Sequence, residues 1–281
     1  MNSFARRLVG IGLLAAWAGG LAPGPAQGAA APEGRGSRSG MVLIPAGPFL
    51  MGRNGGPPEE GPAHEVHLPA FYIDRNLVTW AEYARFIQAK GPSGPKGEMY
   101  LDVEDPDNRI QLKDGAWAAE PAFANHPAAE LAWHGAVAYC AWAGKKLPSE
   151  AEWEKAARGR DGRLYPWGNQ KPTRELAFLG RRGETAPAGT HPKGASPYGV
   201  LDMAGQVWEW TRSLARAYPY SPRDGREDLG ADASRVIRGG MAASDEEGLT
   251  STSREVVFPG RQATGHAYIG FRCARTAEAL N

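Results

Sequence analysis

Residues 241–268, MAASDEEGLTSTSREVVFPGRQATGHAY, crowd a histidine, two arginines, a tyrosine, acids and several hydroxyls into one short stretch. His266 is the side chain there whose ordinary pKa lies closest to neutrality, so it can act as an acid or a base. Arg254 and Arg261 carry planar guanidinium groups that suit a clamp on an anionic substrate group. Tyr268, together with Trp208 from an earlier segment, offers an aromatic face on which a planar ring can stack. On this reading His266, Arg254 and Ser244 are the candidate catalytic residues, and Arg261, Tyr268 and Trp208 the candidate substrate-binding residues. A plainer reading stands beside it. A surface loop is expected to be polar, and Tyr and Arg commonly satisfy core carbonyls. His266 stands out because it precedes a stretch that reads as a buried strand. Arg238 and Arg272 flank core strands and fit buried ion-pair networks better than a binding site.

These side chains depend on the elements that carry them. MVLIPAGPFLMG at residues 41–52 reads as a hairpin-like pair of short strands around a Pro-Ala-Gly-Pro turn. Strand-like text continues over residues 64–73, where a spacing of three puts His64 and His67 on opposite faces and argues against a shared metal. Thr79 is a predicted N-cap, with Glu82 completing a capping box, for a helix striped by Tyr83, Phe86 and Ile87. Residues 91–126 read as a long ordered loop. A second helix is predicted over 132–143 and a third, EAEWEKAAR, after the cap Ser149. DMAGQVWEWT at 202–211 is apolar enough to be core, and RVIRGG and YIGFRCAR read as buried strands. Few long elements, many turns and no internal repeat imply a loop-rich α+β fold. A single domain over residues 41–276, followed by a tail at 277–281, is expected.

Composition narrows the function classes. Thirty-two basic against 31 acidic side chains leave nothing that draws the protein to nucleic acid. Six histidines and two cysteines cannot build a structural zinc cluster unaided. Arg6 and Arg7, an apolar run over residues 8–21 and small residues around Ala26-Gln27-Gly28 read as a cleaved export signal over residues 1–28. The apolar run is too short and too rich in glycine for a membrane span, so no anchor is expected after cleavage. Residues 29–40 read as a flexible linker. The expected location is the periplasm or the medium.

Four motifs occur in one order: MVLIPAGPFLMG with VTWAEYARF, AYCAWAGKKLPSEAEWEKAARG, YGVLDMAGQVWEWT, and RVIRGG with IGFRCAR. Together they resemble the formylglycine-generating enzyme (sulfatase-modifying factor) superfamily over residues 41–275. The resemblance implies an elaborated C-type lectin-like fold with modest regular secondary structure. It also implies a structural disulfide between Cys140 and Cys273. Pairing is usual for an exported chain with two cysteines, while separate buried thiols are the plain alternative.

The resemblance separates this chain from the copper chemistry of the superfamily. Oxygen-dependent members hold copper with two cysteines, since soft thiolates suit Cu(I). The matching positions here are Ser244 and Leu249, so copper at that site and formylglycine generation are not expected. No H-x-x-x-H-x-E arrangement of the iron-dependent branch occurs, and the asparagine-rich run of the ligand-binding, lectin-like members is missing. Single-domain size, export and the missing cysteines are similar to the periplasmic pyoverdine-maturation branch. That resemblance implies oxidative tailoring of a peptide-derived, siderophore-type molecule, with no redox cofactor evident. The alternative is a non-catalytic factor that uses the same cleft to recognise an exported partner protein or peptide. Relatives also hold a structural calcium near the WEW run, which here implies Gln206 and Glu209 as ligands. A second calcium site of the family is expected to be lost, because LAFLGRRGETAPAG supplies no asparagine.

Overall fold

Two capping boxes fix where helices begin. In the computed structural model, which describes residues 40–277, Thr79 and Glu82 cap α1 (Trp80–Lys90) reciprocally, and Ser149 and Glu152 do the same for α3 (Glu150–Arg158). Each box satisfies two backbone N–H groups that a helix start leaves without partners. Between them runs α2 (Trp133–Trp142). The proposed signal, most of the linker and the end of the chain lie outside the described residues.

The strands form one mixed sheet and several small antiparallel ones. β1 (Met41–Ile44) pairs with β4 (Phe71–Asp74), and β4 pairs with β11 (Ala274–Thr276). β2 (Gly47–Met51) pairs with β3 (His64–Leu68). The two strands around the Pro-Ala-Gly-Pro turn therefore do not pair with each other, as the sequence suggested; each takes a partner further along the chain. Residues 91–126 are not wholly loop either. They contain the hairpin β5 (Ile110–Lys113) and β6 (Ala116–Ala119), turned by Asp114 and Gly115, both at positive φ. An Asp-Gly pair is favoured at such a turn because both central residues need φ above zero.

The mixed sheet runs β10 (Ile269–Gly270), β7 (Trp208–Leu214), β8 (Arg235–Arg238), β9 (Arg254–Val257), with β10 parallel to β7 and the remaining pairs antiparallel. One turn of helix, α4 (Pro259–Gln262), follows β9.

Every residue of α3 is buried, although six of the nine are charged or carry a polar group only at their tips. Glu150 and Glu154, one turn apart, both face Arg238 of β8. Trp153 lies between them in the core. Lys155 donates to the carbonyls of Pro45 and Gly47, which ties the helix to the chain between β1 and β2. The LPSEAEWE text is thus one cap, one aromatic anchor and two buried acids that receive arginines from the C-terminal strands.

The largest apolar cluster packs α1 and α2 against β7, with Tyr83, Phe86, Trp210 and Phe271 at its centre. Cys140 of α2 is joined to Cys273, with Cα atoms 5.6 Å apart, so α2 is bolted beside β11. The two cysteines are consumed by this bond, which leaves no thiolate to serve copper. No helix among the described residues is long and apolar enough to cross a membrane.

Candidate functional site

The parallel pairing of β10 with β7 builds the site. It sets Ile269 opposite Trp208 and draws Tyr268 alongside, the Trp208 N–H donating to the Tyr268 carbonyl at 2.8 Å. The turn after β8 contributes Ser244, and α4 contributes Arg261. Trp208, Ser244, Arg261, His266 and Tyr268 consequently line one cavity of about 480 Å³, although they come from four separate segments. Ile237 and Met241 give it an apolar floor, and Val256 and Phe258 of β9 and its end stand at its rim. Phe258 is 65 % exposed.

His266 is the buried titratable side chain of the cavity. Its Nε2 lies 2.9 Å from the Arg261 carbonyl oxygen. A carbonyl can only accept, so Nε2 carries the proton and Nδ1 carries the free lone pair. Burial lowers the imidazole pKa; the Arg261 carbonyl offsets this in part, and the Arg261 and Arg182 guanidinium groups lower it further. These effects favour the neutral ring, with its lone pair on Nδ1. It packs at 5.7 Å from Tyr268, and the Arg182 guanidinium lies 4.0 Å from the centre of the Tyr268 ring. Arg182 was not singled out from sequence, since it sits in the irregular 172–196 segment with no motif to mark it.

Ser244 has a local role as well. Its Oγ accepts from the Met241 N–H at 3.0 Å, which closes the turn that shapes one wall. Leu249 is buried in a small apolar cluster with Tyr165 and Ala204.

Arg254 does not join this group. Its Nε and Nη2 bond both carboxylate oxygens of Glu150 at 2.6 and 3.1 Å, and its Nη1 donates to the Glu59 carbonyl. The guanidinium is held in the scaffold behind β9, and it lines no part of the cavity. The expectation that it clamps substrate is corrected on that ground.

The calcium ligands implied by the resemblance are also differently engaged. Both carboxylate oxygens of Glu209 are bonded by Arg272, at 2.7 and 2.9 Å, in a fully buried pair. Gln206 bridges the backbone of Ala186, accepting from its N–H at 2.9 Å and donating to its carbonyl at 3.2 Å. A cation here would displace those bonds and face a guanidinium, so Gln206 and Glu209 do not fit a calcium site. Acidic oxygens do converge elsewhere: carboxylates of Asp105, Asp107 and Glu130 lie within 4.8 Å of one another.

A second cavity, of about 630 Å³, lies beside α1, but its acids are already bonded, Asp74 to Lys145 and Glu82 to the Thr79 cap.

Residues 26–277 match the sulfatase-modifying factor enzyme 1-like domain. The chain belongs to this family. Among curated relatives, it is 32 % identical to the formylglycine-generating enzyme of Mycobacterium tuberculosis, over 83 % of this chain and 96 % of that protein. It is 36 % identical to the serine/threonine-protein kinase pkn1 of Chlamydia caviae over 84 % of this chain, but spans only 38 % of that protein's length. Among solved structures, PvdO from Pseudomonas aeruginosa is similar, with a TM-score of 0.65 and 27 % identity over 84 % of this chain and 94 % of that one. Both cysteines of this family member are joined in the disulfide, and its cavity holds a histidine among aromatic side chains.

Proposed function

We propose that this family member is an exported tailoring enzyme that oxidises a peptide-derived, siderophore-type molecule in the periplasm, after removal of residues 1–28. The observation that carries the reading is the single cavity shared by His266, Trp208, Tyr268 and Arg261. A planar ring stacks on the aromatic pair, Arg261 holds a carboxylate, and His266 Nδ1 takes a proton from a ring hydroxyl. Proton removal raises the electron density of the ring and prepares it to give up two electrons and a second proton. An external acceptor such as dioxygen receives the two electrons, the second proton and the proton held on His266, leaving as hydrogen peroxide and returning the imidazole to its neutral form. Ser244 holds the wall of the cavity and is not assigned a proton-transfer step. The resemblance to PvdO supports the branch.

The test compares the exported small molecules of a parent and a deletion strain by high-resolution mass spectrometry. A compound that accumulates in the deletion strain with two hydrogens more than its parent-strain counterpart is the expected result. An unchanged inventory sinks the tailoring reading.

One observation favours a second reading. Phe258 and Val256 expose apolar surface at the rim, which suits recognition of an exported protein or peptide without covalent change. Co-purification of a partner by the wild type, and its loss from F258A with no mass change in that partner, is the outcome that would favour it.

A further inference from the structure

Arg182, Arg261, His266 and Tyr268 also line a second chamber, whose wall includes Asp107 and Glu130. Glu130 is only 5 % exposed, and its carboxylate receives no hydrogen bond and no ion pair from any described residue. Its carboxylate reaches the chamber with no donor to offset its charge, which makes this group unlike the paired acids Glu150, Glu154 and Glu209. Its backbone is held at φ 51°, and its N–H donates to the His266 carbonyl at 3.0 Å. The carboxylate meets Asp105 and Asp107, which a short turn brings together, the Asp107 N–H bonding Asp105 Oδ1 at 2.7 Å. Arg109 forms an ion pair with Asp107 at 3.7 Å and stacks on Phe123, and Arg182 and Arg261 line the same chamber.

We infer that Asp105, Asp107 and Glu130 bind a hard divalent cation of the calcium type. Two independent observations carry this: three carboxylate oxygens within 4.8 Å, and a buried member that has no other partner. All the donors are hard oxygens, which excludes a preference for soft metals. Calcium takes six to eight oxygens in adaptable geometry, so the three side chains leave positions for water or ligand on the chamber side. The site differs from the Gln206–Glu209 pair, and it requires nothing of the oxidation chemistry proposed above.

The experiment is calorimetric titration of the purified, disulfide-bonded protein with calcium chloride alone, after chelation and desalting. The wild type is expected to show one saturable site. E130Q, which keeps shape and removes charge, is expected to weaken it by about tenfold or more, and so is D107N. D107N alters an exposed side chain, so its reading does not depend on whether E130Q folds. No calcium binding up to about 10 mM, above the range of extracellular calcium modules, would overturn the inference. Binding by D107N and E130Q at wild-type strength would overturn it equally. Neither outcome bears on His266.

Discussion

The backbone N–H of Glu130 donates to the carbonyl oxygen of His266 at 3.0 Å. That bond joins the chain behind α1 to the segment leading into β10, and it makes the floor of one chamber the wall of the next. Gly265 lets the two come so close: a Cβ there would lie 2.5 Å from Glu130 Oε1 and 2.8 Å from its carbonyl oxygen. G265A must therefore push the two segments apart. Urea unfolding should show a loss of about 1–3 kcal/mol, typical of overpacking a close contact. An unchanged midpoint would mean that the contact is loose.

The Arg254–Glu150 pair is expected to stabilise rather than to bind ligand. R254A leaves the fully buried Glu150 with Arg238 at 3.5 Å and the Tyr218 hydroxyl as its remaining partners. Loss of one member of a buried pair costs about 3–5 kcal/mol. Thermal and urea denaturation of R254A should both show that loss. A fully stable R254A that had lost only ligand binding would return Arg254 to the site.

Glu209 makes a matching prediction with a metal control. E209Q should be destabilised through its buried Arg272 partner, and by the same amount whether calcium or a chelator is present. A loss that calcium enlarges would point to a metal at the WEW run after all.

Lys155 gives a pH dependence with a definite sign. Burial, with a smaller push from Arg160, lowers its pKa to about 8. Below that value the folded state carries a disfavoured buried charge. Between about 8 and 10.5 the unfolded chain holds a proton that the folded chain has released, so this residue's contribution to stability rises with pH. The wild type should gain on the order of 1–2 kcal/mol relative to K155M between about pH 7.5 and about pH 9.5. K155M is expected to be the weaker protein throughout, because the Pro45 and Gly47 carbonyls lose their donor. The difference should therefore widen as pH rises, and a constant difference would contradict the assignment.

The disulfide closes 133 positions of sequence. The chain-entropy argument gives roughly 3–5 kcal/mol for a loop of this length. C140A, C273A and the double variant should be destabilised about equally, since each removes the same cross-link. Single variants that differ strongly from the double would show a separate packing role for one sulfur.

Local signals in the sequence were legible where the physics is local. Thr79 with Glu82, and Ser149 with Glu152, announce their helices because a cap and its reciprocal bond lie within four residues. The Asp114-Gly115 turn is as local, but it is embedded in polar, proline-rich text that reads as loop. The pairing of β1 and β2 was not legible, because each strand's partner lies beyond the other and hydrophobic alternation does not name partners. Arg254 and Arg261 show the same limit at the site. They are the same residue type in the same segment, and what separates them is Glu150, 104 positions away. The Asp105–Asp107–Glu130 cluster was invisible for the related reason that its third member joins only through the fold.

In the proposed function His266 moves a proton for a molecule held by Trp208, Tyr268 and Arg261. The most direct measurement gives purified wild type and H266Q the compound that accumulates in the deletion strain. Binding is followed by tryptophan fluorescence, and product and peroxide by mass spectrometry and a coupled assay. Similar Kd values are expected for the two proteins, with a turnover by H266Q lower by about 100-fold or more, the usual range for loss of a general base. Wild-type rates from H266Q, or a wild-type protein that binds the compound and leaves it unchanged, would contradict the proposal.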